Sequence, residues 1–280
     1  LATHDSILKT DLAGLTLVNP VLLAAGTAGT LDEMADCIDL AKVGGVVTKS
    51  ITPEPRDGNQ TWRILPVEVG MLNAIGLANV GVEAFVRDYG PKVAAVPTRV
   101  IGSIAGFSID DYVKVAAAMD GIAAIEAVEL NVSCPNVKQG CEFAADPVLL
   151  AELLRAVRAV LPRTRLFAKL SPIPTGKVTM ADIARVAIEP GGTPTGPNQR
   201  PGVDALCISN TVPAMVIDVE TRRPKLARVT GGLSGPAVHP MAVKLVHDVY
   251  RAVAKETKTP IVGIGGVLRW EHAAEFVLAG

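Results

Sequence analysis

Seven short runs of apolar and small residues, with no polar alternation inside them, constrain this chain more than any other feature. They are Val21–Ala25, Gly45–Thr48, Val100–Ile104, Ala127–Leu130, Leu166–Leu170, Ala205–Ile208 and Ile261–Ile264. Strands that are apolar on both faces belong in parallel sheets covered by helices. Helix-period segments separate the runs: Leu31–Lys42, Val82–Asp88, Ile109–Met119, Pro147–Val160, Met180–Ile188, Pro236–Lys255 and Trp270–Leu278. Asp146-Pro147 supplies an N-cap and a proline at the first helical position, with Glu142 adding negative charge ahead of it. Before the first run, Leu8 to Val18 reads as a hairpin turning at Gly14. The expected fold is α/β: a (β/α)8 TIM barrel with an N-terminal hairpin, forming a single domain over residues 1–280.

A barrel of this type closes with eight strand–helix units, and seven are found here. Gly280 suits the position just past a helix C-terminus, where the next strand would begin. The final strand–helix unit is therefore expected to be absent from the chain, leaving a gap between the first and seventh strands or another segment filling it. A start at Leu1 rather than Met points towards trimming at both ends.

The formal net charge is -1 and aromatic residues make up 4% of the chain, which argues against nucleic acid as a partner. No apolar run approaches the roughly 18 residues that span a membrane. The cysteines stand at 37, 134, 141 and 207 without a Cys-x-x-Cys pair, as in a cytoplasmic protein with free thiols. The stretch Pro190–Gly202 (PGGTPTGPNQRPG) reads as a flexible loop.

Barrel enzymes place their chemistry at the C-terminal ends of the strands. Those ends read Thr48-Lys49-Ser50, Asn131-Val132-Ser133-Cys134-Pro135-Asn136, Lys169-Leu170-Ser171, Ser209-Asn210-Thr211 and Gly263-Ile264-Gly265-Gly266. Two lysines, asparagines and a cysteine would share one mouth. Gly265-Gly266 and Gly231-Gly232-Leu233-Ser234-Gly235-Pro236, the latter before a helix, suit a shared phosphate cradle of backbone N–H groups. Cys134 sits in a polar turn where no apolar filler is needed, and its thiolate could abstract a proton if nearby positive charge lowered its pKa from about 8.5. Cys37, Cys141 and Cys207 fall on a helix, a loop and a buried strand. Lys49 and Lys169 suit either a Schiff base with a carbonyl substrate or positive charge beside a reduced flavin. His4, His239, His247 and His272 are scattered, which supports neither a metal site nor a histidine-based triad.

Thr48-Lys49-Ser50 with Glu54-Pro55-Arg56-x-Gly58-Asn59, and Met71-Leu72-Asn73-Ala74-Ile75-Gly76-Leu77, resemble the dihydroorotate dehydrogenases. So do Glu129-Leu130-Asn131-Val132-Ser133-Cys134-Pro135-Asn136-Val137, Lys169-Leu170-Ser171-Pro172 and Thr230-Gly231-Gly232-Leu233-Ser234-Gly235-Pro236, and the likeness runs from about Leu12 to Gly280. Cysteine at 134 is similar to class 1, and Asp218-x-x-Thr221-Arg222-x-Pro224 resembles its B type. The resemblance implies oxidation of (S)-dihydroorotate to orotate in pyrimidine biosynthesis. Cys134 would take the C5 proton and FMN the C6 hydride, with Lys169 offsetting the charge the flavin gains. It implies Lys49, Asn73, Ala74, Ile75, Gly76, Leu77, Asn131, Asn210 and Thr211 at the substrate. It implies Lys49, Ser50, Ser103, Asn131, Lys169, Ser209, Gly235, Gly265 and Gly266 at FMN. It further implies a homodimeric core and a partner subunit carrying FAD and an iron–sulfur cluster, which passes electrons to NAD.

Departures from the family pattern are Ala25 where serine is usual, Ser103 where asparagine is usual, a longer Pro190–Gly202 loop, and Ala214 in place of a glycine. A dihydropyrimidine dehydrogenase-like reductase of uracil or thymine shares the Cys-Pro-Asn loop and stays open as an alternative. The Asn73–Leu77 segment favours dihydroorotate. A Schiff-base aldolase barrel and a non-catalytic docking barrel are more remote readings.

Overall fold

The computed structural model describes residues 7–133, 143–172 and 178–280. All seven expected strands form: β3 (Leu22–Leu23), β4 (Gly45–Val47), β7 (Arg99–Ile104), β8 (Ile125–Asn131), β9 (Arg165–Lys169), β10 (Ala205–Ile208) and β15 (Ile261–Gly263). They make one parallel sheet in the order β15-β10-β9-β8-β7-β4-β3. Among the described residues this sheet ends on β3 and β15, the first and seventh strands of the expected barrel.

Side chains alternate across a strand, so each strand divides between two cores. Val46, Val100, Val128, Leu130, Leu166, Ala168, Leu206 and Ile208 pack outward against the helices. Val47, Ile101, Ala127, Phe167, Ala205 and Cys207 form an inner cluster with Leu12, Leu15 and Leu17. Those leucines come from the expected hairpin, β1 (Thr10–Leu12) and β2 (Leu15–Leu17), which fills the N-terminal end of the curled sheet. Burying each of them stabilises the fold by about 1.5–3 kcal/mol. Arg165 on β9 fastens the turn by donating to the carbonyls of Ala13 (2.6 Å) and Gly14 (2.9 Å), and Arg99 on β7 donates to Thr16 (3.2 Å).

The helices Ile109–Asp120, Pro147–Ala159, Met180–Ile188, His239–Val249 and Trp270–Ala279 form close to the expected bounds. Asp146 caps as the sequence suggests, accepting from Val148 and Leu149, and Thr179 with Asp182 forms a capping box. The Leu31–Lys42 segment departs from expectation. It breaks into two 3-10 turns, Glu33–Asp36 and Leu40–Lys42. Acidic side chains bond nearby backbone there: Glu33 accepts from Thr30 and Leu31, and Asp39 from Ala41, which favours local turns over a continuous helix. Val82–Asp88 is likewise one α-turn, Val82–Ala84, widening into a π segment at Phe85–Tyr89.

A second sheet, antiparallel and unforeseen, joins β5 (Ile64–Val67), β6 (Gly70–Asn73), β11 (Val212–Ala214) and β14 (Gly231–Ser234) in the order β11-β14-β6-β5. The glycine run expected to be wholly a phosphate loop is thus a strand as far as Ser234, paired with both β6 and β11. Gly235 alone retains the helix-entry position, ahead of the short turn Pro236–Val238.

The Pro190–Gly202 loop is tied down rather than loose. Arg155 donates to Pro190 (2.6 Å), and Asn198 donates to Ala13 and to Asp204 (both 2.9 Å). Arg158 donates to Gly202 and pairs with Asp204 at 2.6 Å, both side chains being almost fully buried. The same Asp204 oxygen accepts from the Leu166 N–H (2.7 Å), so one carboxylate joins helix, loop and sheet. Removing one partner of a buried pair strands the other charge. Asp204→Ala is therefore expected to lower stability by about 3–5 kcal/mol, read as the shift of a urea unfolding midpoint. A change below about 1 kcal/mol would show the pair to be dispensable.

Candidate active site

The inner faces of the strands carry apolar residues low and polar ones high. Two residues beyond Ile101 comes Ser103, beyond Ala127 come Glu129 and Asn131, beyond Phe167 comes Lys169, and beyond Cys207 comes Ser209. Lys49, half-buried, stands two residues past Val47. The expected strand-end residues thus gather at one end of the sheet because the two-residue period of a strand puts them there.

Hydrogen bonds join this layer. The Thr48 hydroxyl accepts from the Ser103 N–H (2.9 Å) and donates to the Lys49 carbonyl (3.1 Å), locking β4 to β7 directly beside Lys49. The hydroxyls of Ser50 and Ser103 lie 2.9 Å apart, with Ser103 fully buried behind Ser50. Asn131 donates to Ser50 at 3.5 Å, and Tyr112 fixes the Asn131 backbone by donating to its carbonyl (2.6 Å). Asn210 donates to the Asn131 side-chain oxygen and to the Ser133 hydroxyl, both at 3.1 Å. Its own oxygen accepts from the Thr211 N–H (2.8 Å). Ala25, in contrast, packs against the inner apolar cluster.

Asn210-Thr211 leads into β11, and through it the antiparallel sheet is placed beside this polar layer. Asn73 ends β6 opposite Gly232 and donates to its carbonyl (3.2 Å). A Cβ at Gly232 would collide with the Thr211 side chain, so glycine there lets Thr211 close on β14. Behind the Ala74–Leu77 segment, the carbonyls of Ala74 and Ile75 accept from Asn59 (2.7 and 2.9 Å) and that of Gly76 from Arg56 (3.3 Å). In a planar trans peptide the N–H points opposite its carbonyl. The N–H groups of Ile75, Gly76 and Leu77 therefore all turn away from Asn59 and Arg56.

Lower in the interior, Lys169 and Glu129 face each other at 3.8 Å, both buried, beside Cys207. Burial first, and then the Glu129 carboxylate, push the Cys207 thiol well above the usual range. Gly235, Gly265 and Gly266 converge: a Cβ on Gly266, at φ +62°, would lie 2.6 Å from the Gly235 carbonyl oxygen. Cys134, the candidate base, and Cys141 lie outside the described residues. Two of the described histidines are closer than the sequence suggests, since His239 and His272 meet with ring centres 4.5 Å apart. Among the described residues no group of acidic, histidine or cysteine side chains could hold a metal ion.

The family model for dihydroorotate dehydrogenase matches residues 7–280. The chain belongs to the dihydroorotate dehydrogenase family. It is 47% identical over 272 residues to the "Dihydroorotate dehydrogenase B (NAD(+)), catalytic subunit" of Desulforudis audaxviator, covering 96% of this chain and 82% of that protein. The proteins of the same name from Trichlorobacter lovleyi and Bacteroides thetaiotaomicron are 43% and 40% identical, each comparison covering 98% of this chain and 84% of the relative. Dihydroorotate dehydrogenases of this kind are FMN-dependent oxidoreductases with a TIM-barrel fold, and so is this chain. The described residues fit that cofactor: a glycine turn too tight for any Cβ, a buried lysine and a row of serine hydroxyls occupy the same end of the sheet.

The contrast between the described cysteines is testable. Cys37 is exposed, whereas the Cys207 thiol is buried and hard to ionise. Thiolates, not thiols, are alkylated. Iodoacetamide at mildly alkaline pH should label Cys37 in the native protein and leave Cys207 untouched until denaturant is added, as read by peptide mass. Equal labelling of both would mean that the interior is open to solvent.

Proposed function

We propose that the chain oxidises (S)-dihydroorotate to orotate, with Cys134 as the base. The observation that carries this reading is the linked amide pair Asn131–Asn210 beside Asn73, followed in the chain by a loop whose carbonyls are taken by Asn59 and Arg56, so that its N–H groups face away from those two residues. Asparagine amides offer both donors and acceptors, which a cyclic diamide requires. N–H groups left free of Asn59 and Arg56 at Ile75, Gly76 and Leu77, together with the ammonium of Lys49, suit a carboxylate. Uracil and thymine have none, so this segment favours dihydroorotate over a pyrimidine base.

FMN, when bound, supplies the acceptor for the C6 hydride. The chain's own residues bind, orient and move the proton. Lys49, Asn73, Asn131, Asn210, Thr211 and the Ala74–Leu77 backbone hold the ring and carboxylate. The Cys134 thiolate takes the proton from C5. Lys169, Lys49, Ser50, Ser103, Asn131, Ser209 and the glycines Gly235, Gly265 and Gly266 hold the cofactor. Lys169 keeps positive charge where negative charge develops, and a preorganised charge acts without reorganisation at the moment of reaction.

The relatives' printed name supports a B-type catalytic subunit. On that basis we place residues 1–280 as one catalytic domain within a homodimer. Its partner is an electron-transfer subunit with FAD and an iron–sulfur cluster, delivering electrons to NAD. No helix among the described residues is long and apolar enough to cross a membrane. The absence of paired cysteine motifs supports a place in the cytoplasm.

The holoenzyme should be yellow and should bleach when dihydroorotate is added without oxygen. A flavin that dihydroorotate leaves oxidised, but that another dihydropyrimidine reduces, would overturn the substrate assignment.

A second experiment isolates the base. Cys134→Ala should retain FMN yet lose nearly all flavin reduction, because the side chain handles only the proton. Cys134→Ser should keep a small rate displaced to higher pH, since a hydroxyl ionises far less readily than a thiol of pKa about 8.5. Stopped-flow absorbance measures both, and an undiminished rate in Cys134→Ala would remove the residue from the reaction.

A further inference from the structure

His239 stands beneath the glycine turn and has no part in the assignments above. It opens the helix His239–Val249 and is buried. Its ring bridges two acceptors: Nδ1 lies 2.9 Å from the Gly265 carbonyl oxygen, and Nε2 lies 2.7 Å from Glu275 Oε2 on the facing helix. A backbone carbonyl only accepts, so Nδ1 carries a proton. The 2.7 Å contact between Nε2 and Oε2 then fixes the direction of the ring from its far side.

The ring is clamped on its other sides. Phe276 meets it edge-on, with ring centres 5.0 Å apart and planes at 82°, and His272 lies across it. Among the described residues, the titratable or charged groups that meet this ring are Glu275 and His272, with Arg269 behind His272 at 3.5 Å. His272 Nδ1 accepts the Leu268 N–H (3.1 Å), so that atom carries no proton of its own. Drawing the Gly265 carbonyl towards His239 also sets the next peptide. In a planar trans unit, the Gly266 N–H must point away from the histidine. At φ +62°, and with the Gly235 carbonyl where a Cβ would sit, Gly266 has little freedom to turn otherwise.

We propose that His239 and Glu275 form a positioning pair for the cofactor phosphate. The Nδ1–H of His239, kept in place by the Nε2–Glu275 contact, holds the Gly265 carbonyl back and so aims the Gly266 N–H at the phosphate. This inference rests on FMN placing its phosphate at Gly265-Gly266.

The test uses the holoenzyme and two readouts besides turnover. One is FMN affinity, from the fluorescence of released flavin, and the other is the phosphorus resonance of bound FMN. His239→Gln breaks the bridge between Gly265 and Glu275 and should bind FMN about tenfold more weakly, with a displaced phosphorus signal, the scale of one lost hydrogen bond. Glu275→Ala frees the ring at Nε2 and should weaken FMN several-fold, moving the phosphorus signal in the same direction. The Glu275 side chain is 54% exposed, so this variant decides the matter if His239→Gln misfolds. Variants with wild-type affinity and phosphorus shift would overturn the positioning role alone. Wild-type protein that binds no FMN would overturn both it and the phosphate assignment.

Discussion

Alternation of side chains along the strands of one curled parallel sheet makes the interior a stack of layers, and the chemistry depends on which layer a residue occupies. Val47, Ile101, Ala127 and Phe167 form an apolar floor, while Lys49, Ser103, Glu129 and Lys169 stand one step higher on the same strand faces. The register Ile101↔Ala127, Ser103↔Glu129 and Asn131↔Lys169 fixes this arrangement across three strands. A slip of one residue in any strand would turn its polar residue out among the helices and bring an aliphatic one in. The outer core of leucines and valines therefore specifies the inner polar layer from the opposite faces of the same strands.

A polar layer inside a fold is tolerated only when its groups are satisfied. Here the bonds run from Thr48 to Ser103, Ser103 to Ser50, Ser50 to Asn131 and Asn131 to Asn210, so neighbouring strand ends are joined by side chains as well as by backbone. Glu129 is the exception: one of its oxygens is buried without a hydrogen bond, and Lys169 stands at 3.8 Å, an ion-pair distance rather than a hydrogen bond. The charges of that pair balance, but the geometry is looser than that of Arg158 and Asp204 at the opposite end. The tight pair holds the scaffold, and the loose one lies beneath the reacting groups.

The strands were legible because a doubly buried strand has a distinctive composition, and the helices Ile109–Asp120 and Pro147–Ala159 because their caps and periodicity agree. Lys169, Asn131 and Asn210 could be placed at one mouth once the strands were known. The antiparallel sheet was not legible: Ile64–Val67 contains a proline, Gly70–Asn73 opens on glycine, and Gly231–Ser234 has two glycines where a strand usually has branched residues. Glycine is required at 232 because Thr211 fills the space, a reason that exists only after folding. Leu31–Lys42 has a helical period, yet Glu33 and Asp39 spend their carboxylates on nearby N–H groups. His239 and Glu275 are 36 positions apart and sit on different helices, and no local pattern links them.

The hairpin at the start of the chain has a consequence for how the molecule is made. Its turn is held by Arg165, 152 and 151 positions away from the two carbonyls it binds, and by Arg99 on a strand 83 positions further on than Thr16. A ribosome delivers Leu12, Leu15 and Leu17 first, long before β9 emerges to cover them. Those leucines must wait in water, or on a chaperone, until Arg165, 151 positions beyond Gly14, has been made, which exposes them to association with other nascent chains. Contacts of such sequence separation also form slowly. The piece that seals the floor of the barrel is thus translated long before the strands it must find, and is among the last to take its place.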